Sequence, residues 1–145
     1  MNIRDLQLSE FITKPITVSP STSLLKTREI LLQKKVKRVI VTDKNFPIGV
    51  ITEKDIAKKI YELGIKPIKL VKAKDFKLKK LYTLNKENSV KECARLMKKH
   101  RISLVIILNK DKKLEGIVTK TNLATAFLTK GTDSVLVSKV MKTNI

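Results

Sequence analysis

Thr52-Glu53-Lys54-Asp55 and Thr119-Lys120-Thr121-Asn122 are the stretches of this chain best suited to chemistry. Each places a hydroxyl three residues ahead of an acid or its amide. At a helix start that spacing makes a capping box, in which the two side chains satisfy each other's free backbone donors. The same helix start offers unpaired N–H groups and the positive end of a dipole, and both suit a phosphate. A threonine hydroxyl can donate to a phosphate or sugar oxygen. A carboxylate is an acceptor-only group and suits paired ribose hydroxyls. Capping is expected whatever else the boxes do. Two boxes at matching positions favour binding in addition.

The boxes belong to a longer duplication. Gly49 to Ala57 reads GVITEKDIA, and Gly116 to Ala124, 67 residues later, reads GIVTKTNLA. A glycine, two β-branched residues and then Thr describe the end of a buried strand entering a helix. In the first copy Ile16–Val18 is extended, Thr22 is the expected N-cap, and Leu24, Thr27, Arg28 and Leu31 mark a helix over Ser23–Lys35. Val39–Thr42 and Ile48–Ile51 read as a hairpin around a turn at Asp43–Pro47. A second helix is expected from Thr52 through Tyr61, ending near Gly64.

The second copy follows the same plan. Leu81–Leu84 is extended, and Asn88 occupies the place of Thr22. A helix striped by Val90, Cys93, Ala94 and Met97 ends near Arg101. Leu104–Leu108 and Glu115–Val118 form a hairpin around Asn109–Lys113, a turn one residue longer than its counterpart. A last helix runs from Thr119 through Leu128, closed by Gly131. Each copy thus reads strand–helix–strand–strand–helix. Cys93 and Met97 fall on the apolar stripe and are expected in the core. His100, whose counterpart is Lys34, reads as an exposed cation at a helix end.

Composition sets the outer limits. The chain has 145 residues, 42% of them apolar, which is enough for one folded module. Either copy alone, at about 65 residues, would be marginal. The longest nearly continuous apolar run, Ile102–Leu108, is too short to span a bilayer, and no secretory signal opens the sequence. The single cysteine excludes an internal disulfide and a cysteine metal cluster. These features lead us to expect a cytoplasmic protein without membrane association. There are 32 Lys and Arg against 13 Asp and Glu, a net charge of +19, which favours polyanionic partners or simply a solvated surface. Lys66–Lys80 is the densest basic stretch. No His or Cys has a triad partner, no Walker-type glycine loop occurs, and a Glu53 or Asp55 base would lack a companion acid. We therefore expect no catalytic residues, no metal and no enzyme.

The duplicated G-h-h-T-x-x-D/N signature and the order of the elements resemble a pair of CBS domains, the nucleotide-sensing Bateman module. The resemblance runs from about Leu8 to Leu128. It implies an α+β fold of two βαββα repeats packed about a pseudo-two-fold axis, with repeat 1 at 8–64, a Lys-rich linker at 65–80 and repeat 2 at 81–131. It further implies a regulatory, signalling module that dimerises with itself, needs no cofactor, and passes ligand occupancy to a protein partner. Residues 132–145 resemble the lead-in to a further repeat, since Val137–Asn144 matches Leu8–Pro15 in pattern. The tail either folds back as a cap or leads onward in a longer protein.

By the same resemblance, two clefts combine elements of both repeats. The first would use Val50, Thr52, Asp55 and Arg38 with Thr83, Ile102, Ser103 and Leu104, and Asp55 would bind ribose. Arg38 is suited to a phosphate fork. The second would use Ile117, Thr119 and Asn122 with Thr17, Val36, Lys37 and Arg38. Asn122 stands where the family has Asp, so the second cleft is expected to be the weaker. AMP, ADP or ATP fits the basic composition, with S-adenosylmethionine an alternative. Two other readings stand beside this one. One is nucleic-acid binding by the basic surface, which the scarcity of aromatic side chains disfavours. The other is a regulatory piece of a larger multi-CBS protein, enzyme or transporter.

Overall fold

The structure is a computed structural model that describes residues 6–64, 68–76 and 79–130. Gly131 and the tail at 132–145 lie outside the described residues, as do 65–67 and 77–78 of the Lys-rich stretch. The first repeat consists of β1 (Thr17–Val18), α1 (Leu24–Lys34), β2 (Arg38–Asp43), β3 (Phe46–Thr52) and α2 (Glu53–Leu63). The second consists of β4 (Thr83–Leu84), α3 (Val90–His100), β5 (Leu104–Leu108), β6 (Leu114–Thr119) and α4 (Lys120–Lys130). Each repeat builds its own three-stranded sheet, β1-β2-β3 and β4-β5-β6, with a parallel first pair and an antiparallel second. This is the expected α+β architecture of two βαββα repeats.

The β-branched runs supply the core. Val39, Val41 and Ile51 pack with Leu24, Leu31 and Ile56 in the first repeat. Val105, Ile107 and Val118 pack with Val90, Cys93, Met97 and Leu123 in the second. Ile40 and Ile106 alternate with these residues along the strands, so they belong to the other sheet face, and they too are buried.

Turn chemistry explains the boundaries that differ from expectation. The N-cap of α1 is Ser23, not Thr22: the Ser23 hydroxyl accepts from Lys26 N at 3.0 Å. Thr22 Oγ1 instead accepts from Ser19 N in the preceding loop. Asn88 repeats this, accepting from Asn85 N, and Ser89 caps α3. The first hairpin turns on Lys44 and Asn45 alone, both at positive φ, and Pro47 lies in β3. In the longer second hairpin Asn109 Oδ1 accepts from Asp111 N and Lys113 N. His100 is half-buried rather than exposed, its ring tilted against Tyr82 with centroids 4.3 Å apart.

The segments flanking the repeats fold in an order that the sequence does not suggest. Leu8 is fully buried in the core of the second repeat, and its N–H donates to Asn88 O. Thr13 bridges to Ile117 through two backbone bonds of 2.9 Å. Gly116 makes this docking possible, because a Cβ there would overlap the Ile12 side chain. Val71, Ala73 and Phe76 fill the first repeat's core, with Ala73 N donating to Thr22 O. By contacts, 15–81 is one unit, and 6–14 joins 82–130 in the other. Both segments carry apolar residues at similar spacing, and nothing local says which sheet they will join.

Candidate functional site

Strand register brings the candidate residues of each repeat onto one face of its sheet. In the first repeat Thr17 pairs with Ile40 and Ile40 with Val50, while Arg38 pairs with Thr52. These residues alternate with the core-facing Val39, Val41 and Ile51, so they share the opposite face. The chain enters β2 through Val36 and Lys37, and Lys37 O accepts from Glu53 N at 3.1 Å. Lys37 and Arg38 are thereby tied to the first turn of α2.

The second repeat reproduces this arrangement. Thr83 pairs with Ile106 and Ile106 with Ile117, Leu104 pairs with Thr119, and Ser103 O accepts from Lys120 N at 2.9 Å. Ile102 precedes Ser103 at the entry to β5, with its N–H bonded to Met97 O. Two half-sites result. One gathers Thr17, Lys37, Arg38, Val50, Thr52 and Asp55, and the other Thr83, Ser103, Leu104, Ile117, Thr119 and Asn122; Val36 and Ile102, at the strand entries, pack instead against the cores of their own repeats.

Both boxes form. Thr52 Oγ1 accepts from Asp55 N at 3.2 Å, and Asp55 Oδ2 accepts from Thr52 N and from the Thr52 hydroxyl, each at 2.9 Å. Thr119 Oγ1 accepts from Asn122 N at 3.1 Å, and Asn122 Oδ1 accepts from Thr119 N at 3.0 Å. Each helix start therefore stands in a defined position at the end of a strand, held by its own side chains.

Three residues that the sequence reading did not single out belong to these half-sites. Lys79 Nζ lies 3.6 Å from Asp55 Oδ1. Thr13 Oγ1 lies 3.4 Å from both Asn122 Oδ1 and Ile117 O. The flanking segments thus meet each box at its acid or amide position, 66 residues apart in sequence against 67 for the boxes. That offset was the available signal, hidden because each segment adjoins one repeat in sequence and docks on the other. The third residue is Lys120, which is buried. Burial disfavours its charged form and lowers its pKa.

The family model of the CBS domain matches residues 4–62 and 73–129. The chain belongs to the CBS-domain family. Among curated relatives, the uncharacterised protein MJ1404 of Methanocaldococcus jannaschii is 30% identical over 138 residues, covering 83% of this chain. The chain spans only 32% of that relative's length. Among solved structures, CBSX2 in complex with AMP superposes with a TM-score of 0.73 at 25% identity, over 88% of this chain and 99% of that one. The CBS domain pair of MJ0100, in complex with 5′-methylthioadenosine and S-adenosyl-L-methionine, gives 0.71 at 22% identity, over 83% and 98%. Among the described residues no group of His, Cys, Asp and Glu is fit to hold a metal ion, and no helix is long and apolar enough to cross a membrane.

Proposed function

We propose that this CBS pair is a regulatory module that binds adenine nucleotides, AMP, ADP or ATP, without chemical turnover. The observation that carries the reading is the pair of helix starts held by Thr52–Asp55 and Thr119–Asn122, each beside its own strand entry. CBSX2 with AMP and MJ0100 with 5′-methylthioadenosine and S-adenosyl-L-methionine support the ligand class. In this reading the ligand-binding residues are Thr17, Val36, Lys37, Arg38, Val50, Thr52 and Asp55 of the first repeat and Thr83, Ile102, Ser103, Leu104, Ile117, Thr119 and Asn122 of the second. Asp55 accepts from the ribose hydroxyls, and apolar side chains hold the base.

Ligand occupancy then shifts a homodimer or a protein partner between two states, by no more than the difference in affinity for those states. Calorimetric titration with AMP, ADP, ATP, S-adenosylmethionine, 5′-methylthioadenosine and adenosine tests the reading. Saturable binding of at least one, weakened by Asp55→Ala, supports it, and heat from none of them overturns it. The net charge of +19 supports a second reading, nucleic-acid binding. Under that reading DNA or RNA binds with a steep salt dependence and Asp55→Ala leaves it unchanged.

A further inference from the structure

Asp55 keeps one oxygen open to a ligand, and that oxygen has a neighbour. Its Oδ2 already accepts from the Thr52 N–H and from the Thr52 hydroxyl, each at 2.9 Å. A carboxylate oxygen offers about two lone-pair directions, so Oδ2 is filled. A ligand hydroxyl that seeks Asp55 must come to Oδ1. The Lys79 ammonium stands 3.6 Å from that same oxygen. The chain holds 32 Lys and Arg, yet the cation that meets this acid comes from the segment after the first repeat. That segment is pinned. Val71, Ala73 and Phe76 lie in the first repeat's core, and Lys59 of α2 donates to Asp75 O at 3.3 Å. Lys79 follows shortly after Phe76 and reaches the start of the same helix.

The second half-site carries the uncharged version of the same pair. Thr13 stands there in the place of Lys79, and its hydroxyl lies 3.4 Å from Asn122 Oδ1. Acid is matched with ammonium and amide with hydroxyl, so the flanking residue and the box change together between the repeats. A lysine that merely solubilised its segment would have no reason to follow the box.

We propose that Lys79 is a specificity-determining residue of the first half-site, an internal cation that competes with a ligand's hydroxyls for Asp55 Oδ1. That the hydroxyls belong to a ribose rests on the function proposed above, while the hold of Lys79 on Asp55 does not. The contest is uneven. Lys79 is 73% exposed, and so open an ion pair is worth less than a hydroxyl donating to a carboxylate. Lys79 therefore does not close the half-site. It lowers the affinity for hydroxyl-bearing ligands by about two- to fivefold. The effect fades as salt screens the pair.

Two measurements on the full chain test this. In the first, adenosine and 2′,3′-dideoxyadenosine, which lacks both ribose hydroxyls, are titrated by calorimetry into wild type and Lys79→Gln. Adenosine should bind Lys79→Gln about two- to fivefold more tightly than wild type, with dideoxyadenosine unchanged. Added salt should tighten adenosine binding to wild type and leave the variant indifferent. A purely structural Lys79 would move both ligands alike. The second measurement is competitive acetylation of the lysines, with exposed Lys110 as internal reference. Relative to Lys110, Lys79 should label faster in Asp55→Asn, and faster in wild type saturated with adenosine. Asp55→Asn should fold, since Asn122 already caps Thr119 in the same geometry, and circular dichroism checks this. Adenosine that binds Lys79→Gln no more tightly than wild type overturns the competition and leaves the nucleotide reading standing. Lys79 labelling raised by Asp55→Asn, in a protein that binds no adenosine ligand, upholds the hold on Asp55 and overturns the nucleotide reading. Labelling indifferent to Asp55→Asn overturns the proposal whichever ligand binds.

Discussion

The Lys79 ammonium lies 3.6 Å from Asp55 Oδ1, while Asp55 Oδ2 is held by the backbone N–H and hydroxyl of Thr52. One carboxylate oxygen thus maintains the helix start, and the other meets a cation that solvent or a ligand can displace. Lys79 is 73% exposed and Asp55 25%. An ion pair so open to water contributes about 0–1 kcal/mol, so Lys79→Ala should barely change stability. Asp55→Ala removes the reciprocal cap and should cost about 1 kcal/mol. Urea unfolding of the two variants checks this ordering. In the nucleotide reading, Asp55→Ala should also weaken adenosine binding roughly tenfold, the loss of one charge-assisted hydrogen bond. Asn122→Ala should weaken it less, and equal losses would contradict the ribose role of Asp55.

Gly116→Ala should be among the more damaging small substitutions. The added Cβ would overlap the Ile12 side chain and approach Thr13 O to 3.0 Å. Overpacking of this kind costs about 1–3 kcal/mol. Trimming Ile12 to Ala in the same chain should recover part of that loss, since the side chain and not the backbone makes the worst overlap. A double-mutant cycle in urea measures the recovery. Simple additivity would show that the Ile12 segment is not docked there.

Glu92 gives stability a pH dependence with a definite sign. Its carboxylate accepts from Ser89 N and from the Asn88 amide, and these bonds, with the Ser89 hydroxyl and nearby Arg95, hold its pKa below the usual glutamate value. A depressed acid stabilises the fold above its unfolded pKa. That stabilisation is lost as pH falls through the ordinary carboxylate range toward the lower folded value. Glu92→Gln keeps a capping side chain but cannot titrate. The gap in melting temperature between wild type and Glu92→Gln should narrow on acidification from neutral pH. A gap constant down to acid pH would remove Glu92 from the acid response.

Cys93 should be chemically silent in the folded protein. It is fully buried, and burial pushes its thiol pKa up to about 12. Alkylation by iodoacetamide at mildly alkaline pH should follow the rate of unfolding and not the thiol's intrinsic reactivity. Fast labelling of the folded protein would show that the α3 face opens locally.

The fold was legible because its signals are local and occur twice. The β-branched runs at Val39–Val41 and Val105–Ile107, the Thr boxes and the turn residues all act within a few positions. The Ser23 cap was displaced by one residue because Thr22 and Ser23 are both capable caps, and only the bond from Ser19 N to Thr22 separates them. Of the half-sites, the box and the strand entry could be read from position alone. Thr13 and Lys79 could not, because their neighbours arrive from distant parts of the chain. Lys120 was invisible for another reason: a lysine beside a helix start reads as solvated until its burial is known.

The exchange of flanking segments bears on how this protein can be dissected. A fragment cut to the sequence period, at 4–62, would leave behind Val71, Ala73 and Phe76, which plug the core of that repeat. It would also carry Leu8 away from Val90, its neighbour in the other core. Such a piece has a hole in its middle and a greasy end with nowhere to dock. An excision that follows the contacts, at 15–81, keeps its stopper.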